Sequence, residues 1–599
     1  MLAALAVYLA FACLAYWPVE PLSQTQILGC ACSDRIQEVW FFAWMFHALS
    51  HAVNPFTTTA MNYPYGVNLA DNTLMPLLGV LASPITAIFG PIAAFNLFMR
   101  LAFFASATSM MFVLRRYTKW FPAAFLGGLL YGFSPYVVGQ ALGHLFLAFV
   151  PIPPLVVLFV DELLRRQEKD ARRNGVILGL LLAAQFLISI EMFVTTMLCC
   201  VAGVAFVIVI SRPSVREHAA HALRGAIWAL ATFVVIVAYP LYCYFFGRWH
   251  ISGPQWTVPE IAPFRADLFG SIVPTISQFF APTHLAAVGT AYVGGDIAEN
   301  GSYLGIPLVL LLVILLIRNR RDRFVLTLAF AGFVAFVLSL GSPLNVGGHV
   351  TSVVLPFAIL QRIPLLKGLV ASRFSLFVAL AASFIFAIGL DRWKRDVGFA
   401  AGVDRAVVRR HSSWSSTARS RIAITGLVAL IGAGVLVPLV PQVPFVSQAA
   451  DVPTYFTSAE FEAIPNGSAV VTYPYDLGAV NYGMLWQAVS GFSFKLVGGE
   501  AAVPISTAAG ATHVDPLPPI QLQHLFRAGY WGNVRLAPEL DPQGEKLVRR
   551  FLTRWHIGTV VFYPVGVDPG LVRHYLIVLF GRSPVEVGGV AVWYHVDRP

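Results

Sequence analysis

Apolar residues run along this chain in blocks of about 20, each long enough to cross the hydrocarbon core of a bilayer as a helix, with short clusters of arginine and lysine between them. The blocks fall at 2–17, 92–114, 121–138, 145–164, 176–191, 193–210, 226–245, 303–317, 324–340, 372–390 and 422–440, which predicts about eleven spanning helices. A further apolar stretch, 74–89, is short and interrupted by Pro76 and Pro84, and is expected to re-enter or lie on the membrane rather than cross it. After Pro441 the pattern changes. AVVTYPY, GTVVFYP and GGVAVWYHV read as short buried strands, and KLVRRFLTRW as a basic helix leading into the second of them. The expected fold class is a polytopic α-helical membrane protein with a C-terminal extracytoplasmic α/β domain, divided into 1–442 and 443–599.

Composition excludes the soluble alternatives. Charged residues make up 12% of the 599 positions and hydrophobic ones 57%, against about 25% charged in ordinary globular proteins. The net charge of +10 does not imply a nucleic-acid partner, because the basic residues fall between apolar blocks rather than on one soluble face. They set topology instead. With the N-terminus in the cytoplasm, the inner loops hold 23 of the 40 basic residues and the outer loops before the last span hold six. Counting 74–89 as a twelfth span would put the basic loops on alternating sides. The expected location is therefore a bacterial inner membrane, among its lipids, with the C-terminal domain outside. The first block lacks a basic n-region and reads as a retained span.

Six cysteines make no disulfide scaffold. Cys13, Cys199, Cys200 and Cys243 sit in or at the end of apolar blocks, as small hydrophobes do, and the state of Cys30 and Cys32 is left open by their spacing. The chain has no Walker loop, GxSxG elbow, HExxH or CxxC pair, which argues against an ATP-driven pump, an α/β-hydrolase, a zincin and a zinc ribbon.

The remaining chemistry lies at the predicted outer face. The first outer loop, 18–73, reads as polar and aromatic; a third, 341–371, includes LPFAILQRIPLLKGL, which reads as an amphipathic interface helix. Asp34 and Glu38 stand four apart and share one face of a helix, with Trp40, Trp44 and His47 on neighbouring turns. Two readings stand side by side: a plain interface helix with rings at headgroup level and solvated acids at its start, or a helix presenting working carboxylates. Asn62, Asn68 and Asn72 either cap turns or hydrogen-bond sugar hydroxyls. Glu191, His144, Glu299 and Asn300 lie near predicted outer span ends, as substrate-binding groups or as caps and helix–helix hydrogen bonds.

A long first outer loop opening SDRIQEVWFFAW, the strings NPF and YPYGVNLADNT, and later GFSPY with GHL resemble the polyprenyl-phosphate-sugar-dependent membrane glycosyltransferases of the GT-C class, in a multipass branch of unassigned acceptor. An SxE string (Ser189, Glu191), ENGSYLGIPL and ASRFSL with Arg373 fit the same branch. The resemblance covers all the predicted spans in outline and is specific over residues 1–150. In that class the acid of the first outer loop is the catalytic base, which the resemblance carries to Asp34, with Glu38 on the same face. The paired DxD acids of metal-dependent members are not found; no metal ligand or cofactor is assigned, and the lipid-linked sugar is the donor substrate.

The chemistry sets its own needs. An acceptor hydroxyl must lose a proton as it attacks the anomeric carbon, and a positioned carboxylate contributes roughly 10² to 10⁴ in rate. The departing lipid phosphate needs a cation whose planar fork fits its oxygens, for which Arg373 is the first candidate and Lys367 and Arg265 the next; snorkelling to headgroups is the other reading of Arg373. The expected function is an inverting glycosyltransferase moving a sugar from a polyprenyl-phosphate donor to a cell-envelope glycan, lipid or protein at the outer face. The alternative is a transporter or flippase of lipid-linked sugars, which needs polar groups near mid-bilayer, where this sequence has little beyond Arg100 and Gln185. A non-catalytic scaffold presenting the C-terminal domain is the third reading.

Overall fold

A computed structural model describes residues 1–30, 34–210, 212–253, 255–292, 296–408, 425–459, 461, 464–475, 481–504, 520–532 and 542–598. The chain packs as two compact units. The first comprises Met1–Pro18, Met99–Val237 and Val258–Phe445 and is helical; the second comprises Val19–Phe98, Ala238–Thr257 and Val446–Pro599.

Among the described residues, seven helices are long and apolar enough to cross a membrane: Pro76–Leu114, Phe121–Gln140, Leu145–Arg166, Ala171–Ile188, Ile190–Ile210, Glu217–Phe246 and Ala371–Asp396. The other four predicted spans coincide with shorter apolar helices, Leu2–Leu14, Ile306–Arg318, Arg323–Ser339 and Thr425–Leu439. This is a multi-pass membrane protein. Helix Pro76–Leu114 is two segments joined at Gly90, whose φ of 82° is open to glycine, directly before Pro91. The stretch 74–89 supplies the first segment.

Burial separates core helices from lipid-facing ones. The apolar stretch of Ala371–Asp396 is 94% buried, whereas those of Ile190–Ile210 and Glu217–Phe246 are 22% and 17% buried. The first therefore forms the centre of the bundle, and the other two offer apolar side chains to lipid. Helix Ser375–Val408 packs against Phe121–Gly132, Ile306–Arg318 and Arg323–Ser339. The basic clusters between spans are tied to acids at the helix ends. Asp161 accepts from Arg165 Nε at 2.6 Å, Arg166 Nε at 2.9 Å and the Tyr117 hydroxyl at 3.0 Å, while Arg116 pairs with Glu162 at 3.0 Å and Arg392 with Asp322. The interface helix expected over 355–369 is not formed: only Phe357–Leu360 is helical, between Pro356 and the turns around Pro364.

The second unit is built on a five-stranded sheet in the order Val585–Val587, Val590–Tyr594, Thr559–Phe562, Ser468–Tyr473, Phe494–Val497. Ser468–Tyr473 runs parallel to both neighbours, with Val471 opposite Val497 on one side and Val560 on the other. The last two strands form an antiparallel hairpin, turned by Gly588 and Gly589 at positive φ. Alternation along the strands fills two cores: Val470, Val561 and Val592 face one, Val471, Val560 and Trp593 the other.

The segment 19–73 is a wall of this unit. Gln26–Leu28 pairs antiparallel with Ser447–Ala449, Ile27 opposite Gln448. Helix Asp34–Ser50 lies against helix Tyr482–Val489, and the Trp40 indole donates to Gln487 Oε1 at 2.7 Å. Eleven of the 17 residues of Asp34–Ser50 are buried, so the reading as a half-solvated interface helix is corrected. Its aromatic rings pack into protein: Trp40 stacks on Trp44, and Phe492 meets both edge-on.

Candidate functional site

In the helical unit, three separate segments meet around one guanidinium. Ser189 is extended, with φ −159° and ψ 114°, and breaks the chain between helices Ala171–Ile188 and Ile190–Ile210; its hydroxyl accepts from Met192 N at 3.3 Å and caps the second helix. That break sets Glu191 in the first turn, where its Oε1 accepts from Val370 N at 3.0 Å and its Oε2 from Arg373 Nη1. Arg373 stands in the short turn Ala371–Phe374 ahead of helix Ser375–Val408. Its Nη2 and Nε donate to Glu299 Oε1 at 2.9 and 3.2 Å. Glu299 Oε2 accepts from the Ser372 hydroxyl at 2.7 Å and, at 3.5 Å, from Gln140 Nε2. The three side chains are 15%, 18% and 4% exposed for Arg373, Glu191 and Glu299.

Around this cluster lie further polar groups. Gln140 Nε2 donates to Ala298 O at 3.0 Å, which orients the amide, so its Oε1 accepts a hydrogen bond from His144 Nδ1–H at 2.9 Å. Glu299 is held below the ordinary carboxylate range: burial pushes it up, but Arg373, His144 and the Ser372 hydroxyl together pull it further down. Asp296 is pushed up, by burial and then by the charge of Glu299. Asn300 Nδ2 donates to Gly289 O at 2.8 Å, and is a loop tie rather than a presented amide. Arg265 is buried with Nη1 on Ala262 O at 3.1 Å, beside the segment whose Ser372 N donates to Phe264 O. Lys367 is half-buried and makes no ion pair among the described residues. Arg373 is thus not the isolated cation expected of a phosphate fork. Two carboxyl groups bind it, and three of its five N–H groups are engaged.

In the second unit, Asp34 opens helix Asp34–Ser50 and is half-buried, while Glu38, one turn on, is fully buried. Arg35 between them is buried, donates to Ile27 O at 3.3 Å, and is pushed down to about 10 by burial against the opposing charge of Asp451. Asn68 and Asn72 do not present amides to a sugar. Asn68 donates to Cys243 O at 2.8 Å and caps Ala70 N at 3.0 Å; Asn72 donates to Asn68 O and accepts from Ala502 N, each at 2.8 Å. Asn62 likewise donates to Gly66 O. Asp71 accepts from Ile251 N at 3.0 Å, and burial pushes its carboxyl up to about 7. Cys30 is disulfide-bonded, and Cys32 lies outside the described residues.

The family model described as "Domain of unknown function (DUF6311)" matches residues 3–408. The chain belongs to the DUF6311 family. No curated protein matches it. Among solved structures, the arabinofuranosyltransferase AftD from Mycobacteria is 14% identical with a TM-score of 0.49, covering 100% of this chain and 40% of its own. ArnT from Cupriavidus metallidurans is 12% identical at 0.46, with 99% and 97% covered, and the apo oligosaccharyltransferase of Archaeoglobus fulgidus is 13% identical at 0.45, with 95% and 72% covered. The chain thus spans two fifths of the length of AftD. At such scores the chemistry of this DUF6311 chain has to be built from its own residues.

The family match takes in Asp34, Glu191, Glu299 and Arg373, and stops before the sheet. The structure brings Glu191, Glu299, Arg373 and, through Gln140, His144 into one cluster. Sequence reading missed Gln140, Ser372 and Asp296. Their signals were the i, i+4, i+8 spacing of Tyr136, Gln140 and His144, and the hydroxyl next to Arg373 in ASRF.

Proposed function

We propose that this DUF6311 chain is a membrane glycosyltransferase that moves a sugar from a polyprenyl-phosphate donor to a cell-envelope glycan, lipid or protein at the outer face of a bacterial inner membrane, with Asp34 as general base. One observation carries the reading. The strings that resemble the GT-C branch, GFSPY to GHL, SxE, ENG and ASRF, are far apart in sequence yet supply the members of a single hydrogen-bonded cluster: Gln140 and His144, Glu191, Glu299, and Ser372 with Arg373. A fold alone has no need to gather these groups at span ends, where unpaired charge is costly and polar clusters mark sites.

In this reading Glu191 and Glu299 fix the Arg373 fork, and the two N–H groups left on it hold the oxygens of the departing lipid phosphate. Asp34, half-buried at a helix start, takes the acceptor's proton. The distribution of basic residues supports a cytoplasmic N-terminus. The test is transfer of labelled sugar from a panel of polyprenyl-phosphate donors in membranes carrying wild type, Asp34→Asn or Arg373→Ala at matched folded amount. Wild type should use a donor and Asp34→Asn should lose about 10² or more; an Asp34→Asn enzyme as fast as wild type removes the base assignment, and no donor use at all removes the transferase.

A further inference from the structure

The second unit carries a cationic cleft that none of this chemistry uses. Helix Pro542–Arg554 turns Val548 and Leu552 into the sheet's core and leaves Lys546, Arg550 and Arg554 along its outer face at i, i+4 and i+8. With Arg549, with Arg598 and with one acid, Glu545, they line a concavity of about 580 Å³ that has Val596 among its walls. Arg549 is committed elsewhere: it pairs with Glu545 at 2.9 Å and donates to Leu579 O. Lys546, Arg550, Arg554 and Arg598 make no ion pair among the described residues.

This arrangement works against the fold that bears it. Like charges one turn apart repel, and Lys546 stands near the positive end of the helix dipole. A second feature adjoins the charge. The Arg554 guanidinium lies 5.3 Å over the Trp555 ring, and Tyr65, 49% exposed, meets Trp555 edge-on with ring centroids 5.9 Å apart. Lys495 lies 5.1 Å over the Tyr63 ring, two residues before Tyr65 in the string YPYGVN. Cations with aromatic rings at the edge of a concavity suit a chain that alternates anionic groups with the apolar C–H faces of sugar rings. A flat lipid surface would leave the cleft unfilled.

We infer that this cleft binds an anionic glycan, one bearing carboxylate or phosphate groups along a sugar chain. Lys546, Arg550, Arg554 and Arg598 take the anionic groups, and Trp555 with Tyr65 supports a neighbouring ring. As a binding site it stands alone. As the acceptor site it rests on the transferase reading.

The test uses the full chain in phosphatidylcholine nanodiscs, with hexagalacturonate and a mannose-phosphate oligosaccharide as anionic probes and maltohexaose as the uncharged control. At least one anionic probe should bind, weaken as salt rises, and lose about ten-fold or more in affinity in an Arg550→Ala/Arg554→Ala variant. Tyr65→Ala should weaken binding by about two- to five-fold with the salt dependence retained. All three substituted positions are exposed, and unchanged thermal unfolding confirms that the variants fold. Binding of neither anionic probe, equal binding of maltohexaose, or unchanged affinity in the double variant overturns the site. So does arginine-dependent capture of phosphatidylglycerol vesicles without oligosaccharide binding, which would make the patch a membrane contact. Because binding is read without donor, a chain that binds but transfers nothing removes the acceptor role and leaves the site.

Discussion

Arg373 gives two of its N–H groups to one oxygen of Glu299, Nη2 at 2.9 Å and Nε at 3.2 Å, while the preceding hydroxyl, that of Ser372, donates to the other oxygen at 2.7 Å. Two consecutive residues thus grip both oxygens of one carboxylate. This fixes the plane of the guanidinium, because a fork held edge-on by a single oxygen has little freedom to swing. Glu191 then closes on Nη1 from another helix start. The cation is positioned before any ligand arrives.

Removing that cation should cost more than removing either acid. Arg373→Ala leaves Glu191 and Glu299 buried together with no counter-charge, a loss of about 3–5 kcal/mol by comparison with other broken buried pairs. Glu299→Gln keeps a group that meets Ser372 and leaves Arg373 paired with Glu191, so it should cost less. Adding Glu191→Gln to Arg373→Ala should recover part of the loss. Thermal unfolding of the purified variants ranks them, and an Arg373→Ala protein as stable as Glu299→Gln sinks the charge-balance account.

Gln487 is the tie between the segment 19–73 and the sheet. It is fully buried, accepts from the Trp40 indole at 2.7 Å, and donates at 2.7 Å to both Ala60 O and Phe494 O. Gln487→Leu keeps the volume but leaves the buried indole N–H without its acceptor, at about 1–3 kcal/mol for that unsatisfied donor, while Ala60 O keeps its bond from Leu496 N at 2.7 Å. Limited proteolysis should then cut within 50–60 faster than in wild type. Equal cutting rates would mean that the loop holds its place without this residue.

Hydropathy and charge made the helical unit legible, since lipid tolerates only long apolar helices and the chain between them must carry the polar groups. The strands at 468–473, 559–562 and 590–594 were legible for the same kind of reason, a short run rich in β-branched and aromatic residues with Pro or Gly at one end. The helix holding Asp34 was not. Its mixture of acids and tryptophans suits an interface equally well, and only the partner surface supplied by Trp486 and Phe492, more than 400 residues on, decides that it is buried. Asn68 and Asn72 were ambiguous because an amide that ties backbone and one that binds a sugar are the same residue type; Cys243 O and Ala502 N, which claim them, lie far along the chain. The Arg373 cluster was legible as a set of candidates, but the two carboxylates on one guanidinium were not, because ion pairing across segments leaves no local period.

Glycine at 132 and at 434 should respond in opposite ways to the same substitution. A Cβ on Gly132 would sit 2.5 Å from Ala107 N and Cβ, backbone of a packed neighbour that has no rotamer to yield. Gly132→Ala should therefore destabilise by about 1–3 kcal/mol. Gly434, helical as well, has nothing within 4 Å of the same position, and Gly434→Ala should be neutral or stabilising by up to about 1 kcal/mol. Thermal unfolding of the two variants side by side decides it; equal shifts would mean that helix propensity, not helix contact, governs both.

Asp71 gives the second unit a stability that depends on pH. Burial pushes its carboxyl up to about 7, against the opposing Ile251 N–H at 3.0 Å, with the Tyr244 phenol and the Cys243 thiol nearby. In the unfolded chain the group titrates near its ordinary value of about 3.9. Between these values the folded protein holds a proton that the unfolded chain has released, so stability falls as pH rises through the window and is lowest above it. Asp71→Asn keeps an oxygen for Ile251 N and removes the titration. The variant should gain stability relative to wild type at pH 8 and show little gain at pH 5. Glu299, held low by Arg373, contributes with the opposite sign, losing its stabilisation as pH falls below the ordinary carboxylate range, so acid unfolding should persist in Asp71→Asn. Thermal unfolding of both proteins across pH 5 to 8 is the check: a difference between them that stays constant over that range would show that Asp71 is ionised in the folded protein throughout.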